Sequence, residues 1–275
     1  MARFRPEPDP ARARRRTGVL LVNLGTPAAP TAAALRPWLR QFLSDPRVVE
    51  LPRLVWWPIL NGLVLAVRPA KSARKYASIW TAEGSPLKVS TERQAALLAA
   101  ALARQDDDIA VDWAMRYGAP AIAETLDGLR TQGCARILVV PLYPQFAAST
   151  TASALDEVAR AMQSWRNLPE LRFVRSFPDD PGYIAALASS VREHWADHGQ
   201  GDCLVMSFHG QPKRTDDLGD PYHAECLLTA RLLGEALALA PEKWKVTFQS
   251  RFGTAAWLQP PTLPTLEALA ASGVK

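Results

Sequence analysis

A histidine stands inside the stretch SFHGQP, residues 207–212, directly behind the apolar run CLVM. A free imidazole has a pKa of about 6.5, so near neutral pH it can accept a proton or serve briefly as a nitrogen donor to a divalent metal. His209 is therefore the first candidate for chemistry. Other polar residues occupy equivalent places behind apolar runs: Gly25-Thr26-Pro27, Arg116-Tyr117-Gly118, Tyr143-Pro144-Gln145-Phe146 running to Ser149-Thr150, and Gln249-Ser250-Arg251. Aromatic faces among them suit a planar ring, while arginines and hydroxyls suit carboxylates at its edge. Neither G-x-G-x-x-G nor a P-loop occurs, which removes most of the support for a nucleotide.

The remaining candidates are weaker. His194 and His198 lie one helical turn apart, but they lack the H-E-x-x-H order and an evident third ligand, so a solvated helix face is expected. His223, beside GDPY, reads as structural. Cys134, Cys203 and Cys226 are odd in number and too widely spaced for a C-x-x-C pair, which favours buried reduced thiols over a disulfide framework or structural zinc.

The elements that must position these residues alternate strand and helix. GVLLVNL precedes a helix around 31–44. A helix opened by the capping-box pattern Thr91-x-x-Gln94 leads to IAVDWAM. Pro120 opens and Gly133 closes a helix before RILVVPL. Further helices at about 150–165, 181–198 and 221–239 lead to LRFVRSF, CLVMSF and KVTFQS respectively. Such β-α-β repetition predicts an α/β protein with parallel sheets flanked by helices, whose ligands bind beyond the carboxyl ends of the strands. GLRTQGCARILVV passes from helix through Gly133 into strand. EALAASGVK follows the same course and stops at Lys275 where a strand is expected, so the chain reads as cut at a helix-to-strand turn.

With 275 residues, 48% hydrophobic, the chain can bury a sizeable core. Its net charge of +5 owes much to the arginine- and proline-rich opening, which reads as a solvated tail without the interleaved aromatics of a nucleic-acid binder. No secretory h-region follows those arginines, so a cytoplasmic protein is expected. VWWPILNGLVLAV, residues 55–67, is too short to cross a bilayer as a helix. It suits a lip resting on a membrane interface, a wall of a large apolar site, or a buried core helix.

SFHG, GDPY at 219–222, FQSRFG with WLQP between 248 and 260, LYPQFAASTTAS at 142–153, MRYG at 115–118 and YASIWTAEGSPL at 76–87 together closely resemble ferrochelatase, from about Gly18 onward. That family inserts ferrous iron into a porphyrin in the last step of protohaem synthesis. The LSDPRVVELPRLVWWPILNG stretch is similar to proteobacterial members, whose substrate is protoporphyrin IX. The resemblance implies two Rossmann-like lobes, 17–168 and an incomplete 169–275 behind a disordered tail 1–16, with the active-site cleft between the lobes. It implies His209 as the catalytic, metal-side residue. It places Tyr76, Ser85, Arg116, Tyr117, Tyr143, Ser149 and Thr150 in the porphyrin pocket. No organic cofactor is implied, and Fe(II) enters as substrate. The implied partners are protoporphyrin IX and ferrous iron, with no nucleic acid, peripheral contact with the inner membrane surface, and a monomeric state.

Two departures stand out. The family's acidic partner for the histidine lies on a segment beyond Lys275, and Gln211 replaces a usual apolar residue. The alternative readings are a shortened, catalytically impaired tetrapyrrole-binding remnant, or a chelatase for another tetrapyrrole or metal.

Overall fold

The structure is a computed structural model that describes Phe4, Glu7 and residues 16–274. The described residues form two compact units, one running to Tyr143 and including Ala148–Arg175, the other comprising Pro144–Ala147 and Ser176 onward.

The first unit is built on a parallel sheet of β1 (Arg16–Gly25), β2 (Ile109–Tyr117), β3 (Cys134–Pro141) and β4 (Glu170–Phe173), in the order β2-β1-β3-β4. β1 is central, with Leu20 opposite Asp112 on one side and Val139 on the other. Its side chains alternate faces, as strand geometry requires. Leu20 and Val22 join a core with Ile122, Leu126 and Leu129 of α5 (Ile122–Thr131) and Ala154 and Val158 of α6 (Ser153–Met162). Val19 and Leu21 face Ala95 of α4 (Pro86–Ala103). A strand buried on both faces needs apolar residues at every position, hence the unbroken GVLLV run.

A third cluster gathers Leu35, Trp38, Leu39 and Leu43 of α1 (Ala32–Leu43) with Leu60, Leu65 and Tyr117. Leu60 opens a π-helical turn (Leu60–Val64) between α2 (Arg53–Ile59) and α3 (Leu65–Ile79). The 55–67 stretch is therefore neither wholly core nor wholly surface. Leu60 and Leu65 are buried, whereas Leu54, Trp57 and Leu63 are 93%, 63% and 64% exposed. No helix among the described residues is long and apolar enough to cross a membrane.

The second unit has β5 (Leu204–His209) paired in parallel with β6 (Trp244–Gln249). Ala188 of α7 (Pro181–His198) and Ala230 and Leu233 of α9 (Tyr222–Ala236) bury Met206 between them. A short α8 (Lys213–Asp217) lies between β5 and α9, and α10 (Thr262–Ala271) follows β6. Thr262 sits against the strands, its hydroxyl 2.9 Å from that of Ser207 and donating to that of Thr247 at 3.0 Å.

Three expectations change. The division at residue 169 places LRFVRSF in the second lobe. Its strand β4 instead pairs with β3 and belongs to the first unit, which extends to Arg175. A parallel strand shows its partner through ladder hydrogen bonds, which composition does not reveal. The helix expected to open at Thr91 begins at Pro86, favoured at a first turn because it lacks an N–H. Thr91 lies inside it, its hydroxyl donating to the Leu87 carbonyl at 2.7 Å, a back-bond open to any helical threonine. Most of the arginine-rich tail lies outside the described residues. Glu7 within it accepts the Arg166 amide at 2.6 Å and pairs with Arg130, so at Glu7 the segment is held rather than merely solvated.

Candidate functional site

In the first unit, β2 and β3 flank β1 on opposite sides, so consecutive connections leave in opposite directions at the β1/β3 boundary. Open α/β sheets bind ligands beyond the carboxyl ends at such a switch point. β1 ends there in Gly25-Thr26, and β3 leads to Tyr143. Gly25 has φ +102°, and a Cβ on it would lie 1.8 Å from the Tyr117 carbonyl oxygen, so no other residue fits where β1 meets the end of β2.

The hydroxyls of Thr26, Tyr143 and Thr151 are buried without a hydrogen-bond partner among the described residues. Thr151 belongs to the π-helical turn Ala148–Ala152 that leads from β3 to α6. Buried hydroxyls are normally paired, so unpaired ones near a switch point are donors open to a bound polar group. Burial pushes the Tyr143 phenol far above its ordinary pKa, which keeps it protonated and able to donate. Ser149 and Thr150 share the same turn and are half-buried.

Arg116 and Tyr117, expected in the pocket lining, are only 6% and 0% exposed. Their polar atoms are engaged. Arg116 donates to Asp45 Oδ2 at 2.6 Å and to the Ser153 carbonyl and hydroxyl at 2.9 and 2.7 Å, with Glu157 3.3 Å away. Tyr117 donates to the same Asp45 oxygen at 2.8 Å, and Ser153 donates to it at 2.6 Å. Burial works to raise the Asp45 pKa, but hydrogen bonds from Ser153, the Arg47 amide and Tyr117, with the Arg116 charge, outweigh it and hold the carboxyl below the usual range. The end of β2 is thus tied to α6 and to the chain after α1 by a closed polar network.

Tyr76 is half-buried on α3, its ring edge-on to Trp38 at 5.9 Å, and burial raises its phenol pKa. Ser85 is buried just before α4 and makes no side-chain cap.

In the second unit, His209 is the last residue of β5, opposite Gln249 at the end of β6. It reaches solvent, yet the protein packed around its other sides desolvates the ring and lowers its pKa below the ordinary imidazole value. The neutral form is therefore favoured at neutral pH. Neither ring nitrogen has a partner among the described residues, and Ser250 follows β6 with φ 71°. Gln211 accepts from Leu258 N through its carbonyl at 2.9 Å and from the Thr215 hydroxyl through its side chain at 3.3 Å, so the polar residue has local partners.

His223 lies 3.3 Å from Asp216, and its ring is edge-on to Phe248. His194 and His198 stack at 4.3 Å on an exposed helix face. No group of three or more metal-ligating side chains occurs among the described residues. Cys134 and Cys226 are buried free thiols, and Cys203 is half-buried.

Sequence reasoning missed Asp45, Ser153 and Thr151 as parts of these arrangements. Asp45 stood inside LSDPRV, and Thr151 and Ser153 inside LYPQFAASTTAS, but nothing in their spacing named the partners.

A family model described as Ferrochelatase matches residues 16–275. The chain belongs to the ferrochelatase family. The ferrochelatase of Azoarcus sp. is 70% identical over 275 residues, which are 100% of this chain and 76% of that protein. That of Aromatoleum aromaticum is 66% identical over 275 residues, 99% of this chain and 75% of that protein. Among solved structures, SirB from Bacillus subtilis with Fe3+ aligns with a TM-score of 0.47 and 14% identity, over 93% of this chain and 71% of that one, a likeness too distant to bear on function. Of the motifs that carry the resemblance, MRYG, LYPQFAASTTAS, SFHG and FQSRFG fall at the carboxyl ends of β2, β3, β5 and β6, where a parallel sheet leaves side chains free to meet a ligand, while YASIWTAEGSPL and GDPY lead into α4 and α9.

Proposed function

We infer that the protein is a ferrochelatase that inserts Fe(II) into protoporphyrin IX to form protohaem. The observation that carries this is His209 at the end of β5, an imidazole with no hydrogen-bond partner among the described residues and with burial favouring its neutral form, in a chain that belongs to this family throughout its described sheet framework.

Metal insertion breaks two pyrrole N–H bonds and releases their protons while four ring nitrogens replace the water ligands of the iron, so the chemical step needs a base and a site that presents the ion. His209 is assigned both tasks, proton acceptance and transient metal contact, because a neutral imidazole does either. A flat macrocycle points its nitrogen lone pairs inward, away from a hydrated ion. Binding energy from its carboxylates and faces can offset bending that exposes them. The porphyrin-holding role is assigned to Tyr143, Ser149 and Thr150 at the end of β3 and to Tyr76 and Ser85, joined by Thr26 and Thr151, whose buried hydroxyls, like that of Tyr143, have no hydrogen-bond partner among the described residues. Arg116 and Tyr117 are assigned to the same pocket as a rigid wall, since Asp45 and Ser153 occupy their polar atoms. No organic cofactor enters the scheme.

The protein is proposed to be cytoplasmic and monomeric, and to touch a membrane surface peripherally through exposed residues of α2 and the turn after it, flanked by Arg53 and Arg68. Such contact suits a substrate that is itself largely apolar.

The decisive experiment follows porphyrin fluorescence under anaerobic conditions as Fe2+ or Zn2+ is added to the 275-residue chain. Metallation by the wild-type protein, falling at least a hundredfold in His209→Ala with porphyrin affinity retained, is expected from loss of a positioned base, which contributes about 10²–10⁴-fold. Porphyrin binding without metallation by the wild type would instead favour a tetrapyrrole-binding remnant.

A further inference from the structure

We propose that Tyr222 is a positioning residue for His209: its hydroxyl clamps the backbone carbonyl of the histidine and thereby aims the imidazole. This deepens the reading of His209 as the reacting base and rests on it.

Tyr222 begins α9, and its amide donates to Asp220 Oδ1 at 3.0 Å, which fixes the chain as it enters the helix. The ring packs beside Cys226, Phe248 and Leu258 in a small core beneath the strand ends. From there the hydroxyl reaches back 13 residues in sequence and donates to the His209 carbonyl oxygen at 3.0 Å.

The other half of the same peptide unit is also held. Gly210 N donates to the Gln249 carbonyl at 2.6 Å, and a Cβ on Gly210 would lie 2.6 Å from that oxygen, so only glycine lets the strand approach β6 this closely. Both polar groups of the 209–210 peptide are thus engaged, one by β6 and one by α9. A peptide held at both its C=O and its N–H cannot rotate, so the Cα–Cβ direction of His209 is set by its backbone.

That matters because the imidazole has no hydrogen-bonded partner among the described residues to orient it. In most histidine bases a carboxylate or carbonyl on the second ring nitrogen does this. Here orientation must come through the main chain, and Tyr222 supplies the only side-chain donor to it among the described residues. Burial beside Cys226 raises the Tyr222 pKa well above the ordinary phenol value, so the hydroxyl keeps its proton at any working pH.

The test is a double-mutant cycle between Tyr222→Phe and His209→Ala in the 275-residue chain. Tyr222→Phe deletes one hydroxyl and keeps the ring. Loss of one hydrogen bond of about 0.5–1.5 kcal/mol that acts on the base corresponds to roughly a 2- to 13-fold fall in kcat. Porphyrin KM should stay close to wild type, and Tyr222→Phe should cost nothing further in kcat in the His209→Ala background. Equal losses in both backgrounds, or an unchanged kcat in the single variant, overturn the proposal.

A second measurement needs no turnover: NMR of histidine-labelled protein should show the His209 ring signals shifted and broadened in Tyr222→Phe while those of His194 and His198 stay in place. Unmoved His209 signals also overturn it. Full activity in His209→Ala would instead sink the reading of the base, which the NMR comparison does not depend on.

Discussion

Asp45 shows how much can rest on one buried carboxylate. A single oxygen accepts from Arg116, Tyr117 and Ser153, all within 2.8 Å. Asp45→Ala would strand the Arg116 guanidinium, 6% exposed, without its closest counter-charge, and removing one partner of a buried pair costs about 3–5 kcal/mol. Urea denaturation at neutral pH should show a loss of that size, against less than about 0.5 kcal/mol for a surface change such as Glu92→Ala. The sign of the pH dependence follows from the lowered pKa. The folded carboxylate stays ionised where the unfolded one, near 3.9, takes up a proton, so its contribution is complete above about pH 4 and is lost as pH falls below it. Asp45→Asn should therefore make stability less steeply dependent on pH in that acid range.

Polar contacts also lock elements together across otherwise apolar faces. Asn23 of β1 donates to the Thr91 hydroxyl of α4 at 3.0 Å, while that hydroxyl donates to Leu87 in its own helix. Thr91 is fully buried, and valine has nearly its shape, so Thr91→Val removes the acceptor and leaves the Asn23 amide short of a partner. An unsatisfied buried donor costs about 1–3 kcal/mol, although helix propensity barely changes. A loss of that size in thermal or urea unfolding, with the far-UV spectrum unchanged, is the expected result. The same residue explains why the capping-box pattern misled: a threonine followed three residues later by a glutamine fits a helix start and a helix interior alike, and Pro86 marks the actual start.

At the scale of the whole molecule, the exposed apolar residues of α2 and the adjoining turn have no role in either core. Leu54 and Trp57 stand well out of the packed clusters, so replacing both with glutamate should leave the fold intact. Burying a large apolar side chain contributes about 1.5–3 kcal/mol, so the double change should weaken sedimentation with anionic lipid vesicles by more than tenfold if these residues enter the interface. Unchanged vesicle binding would remove the proposed membrane contact.

The sequence by itself determined the order of strands and helices, the places behind the strands where polar residues gather, and the family. Each of these is written in local periodicity or in short motifs, as GVLLV and SFHG show. Some boundaries were legible in the same way, as with Pro181 at the start of α7, where the Asp180 carboxylate accepts the Tyr183 amide at 2.9 Å. Only the tertiary structure decided that β4 completes the first sheet and that part of the 55–67 stretch turns outward. It also decided that Arg116 spends its donors on Asp45, 71 residues away, and that Tyr222 holds His209. The reason is common to all four: each depends on which distant backbone or side chain completes a hydrogen bond or covers an apolar face, and that pairing is chosen by the folded chain as a whole.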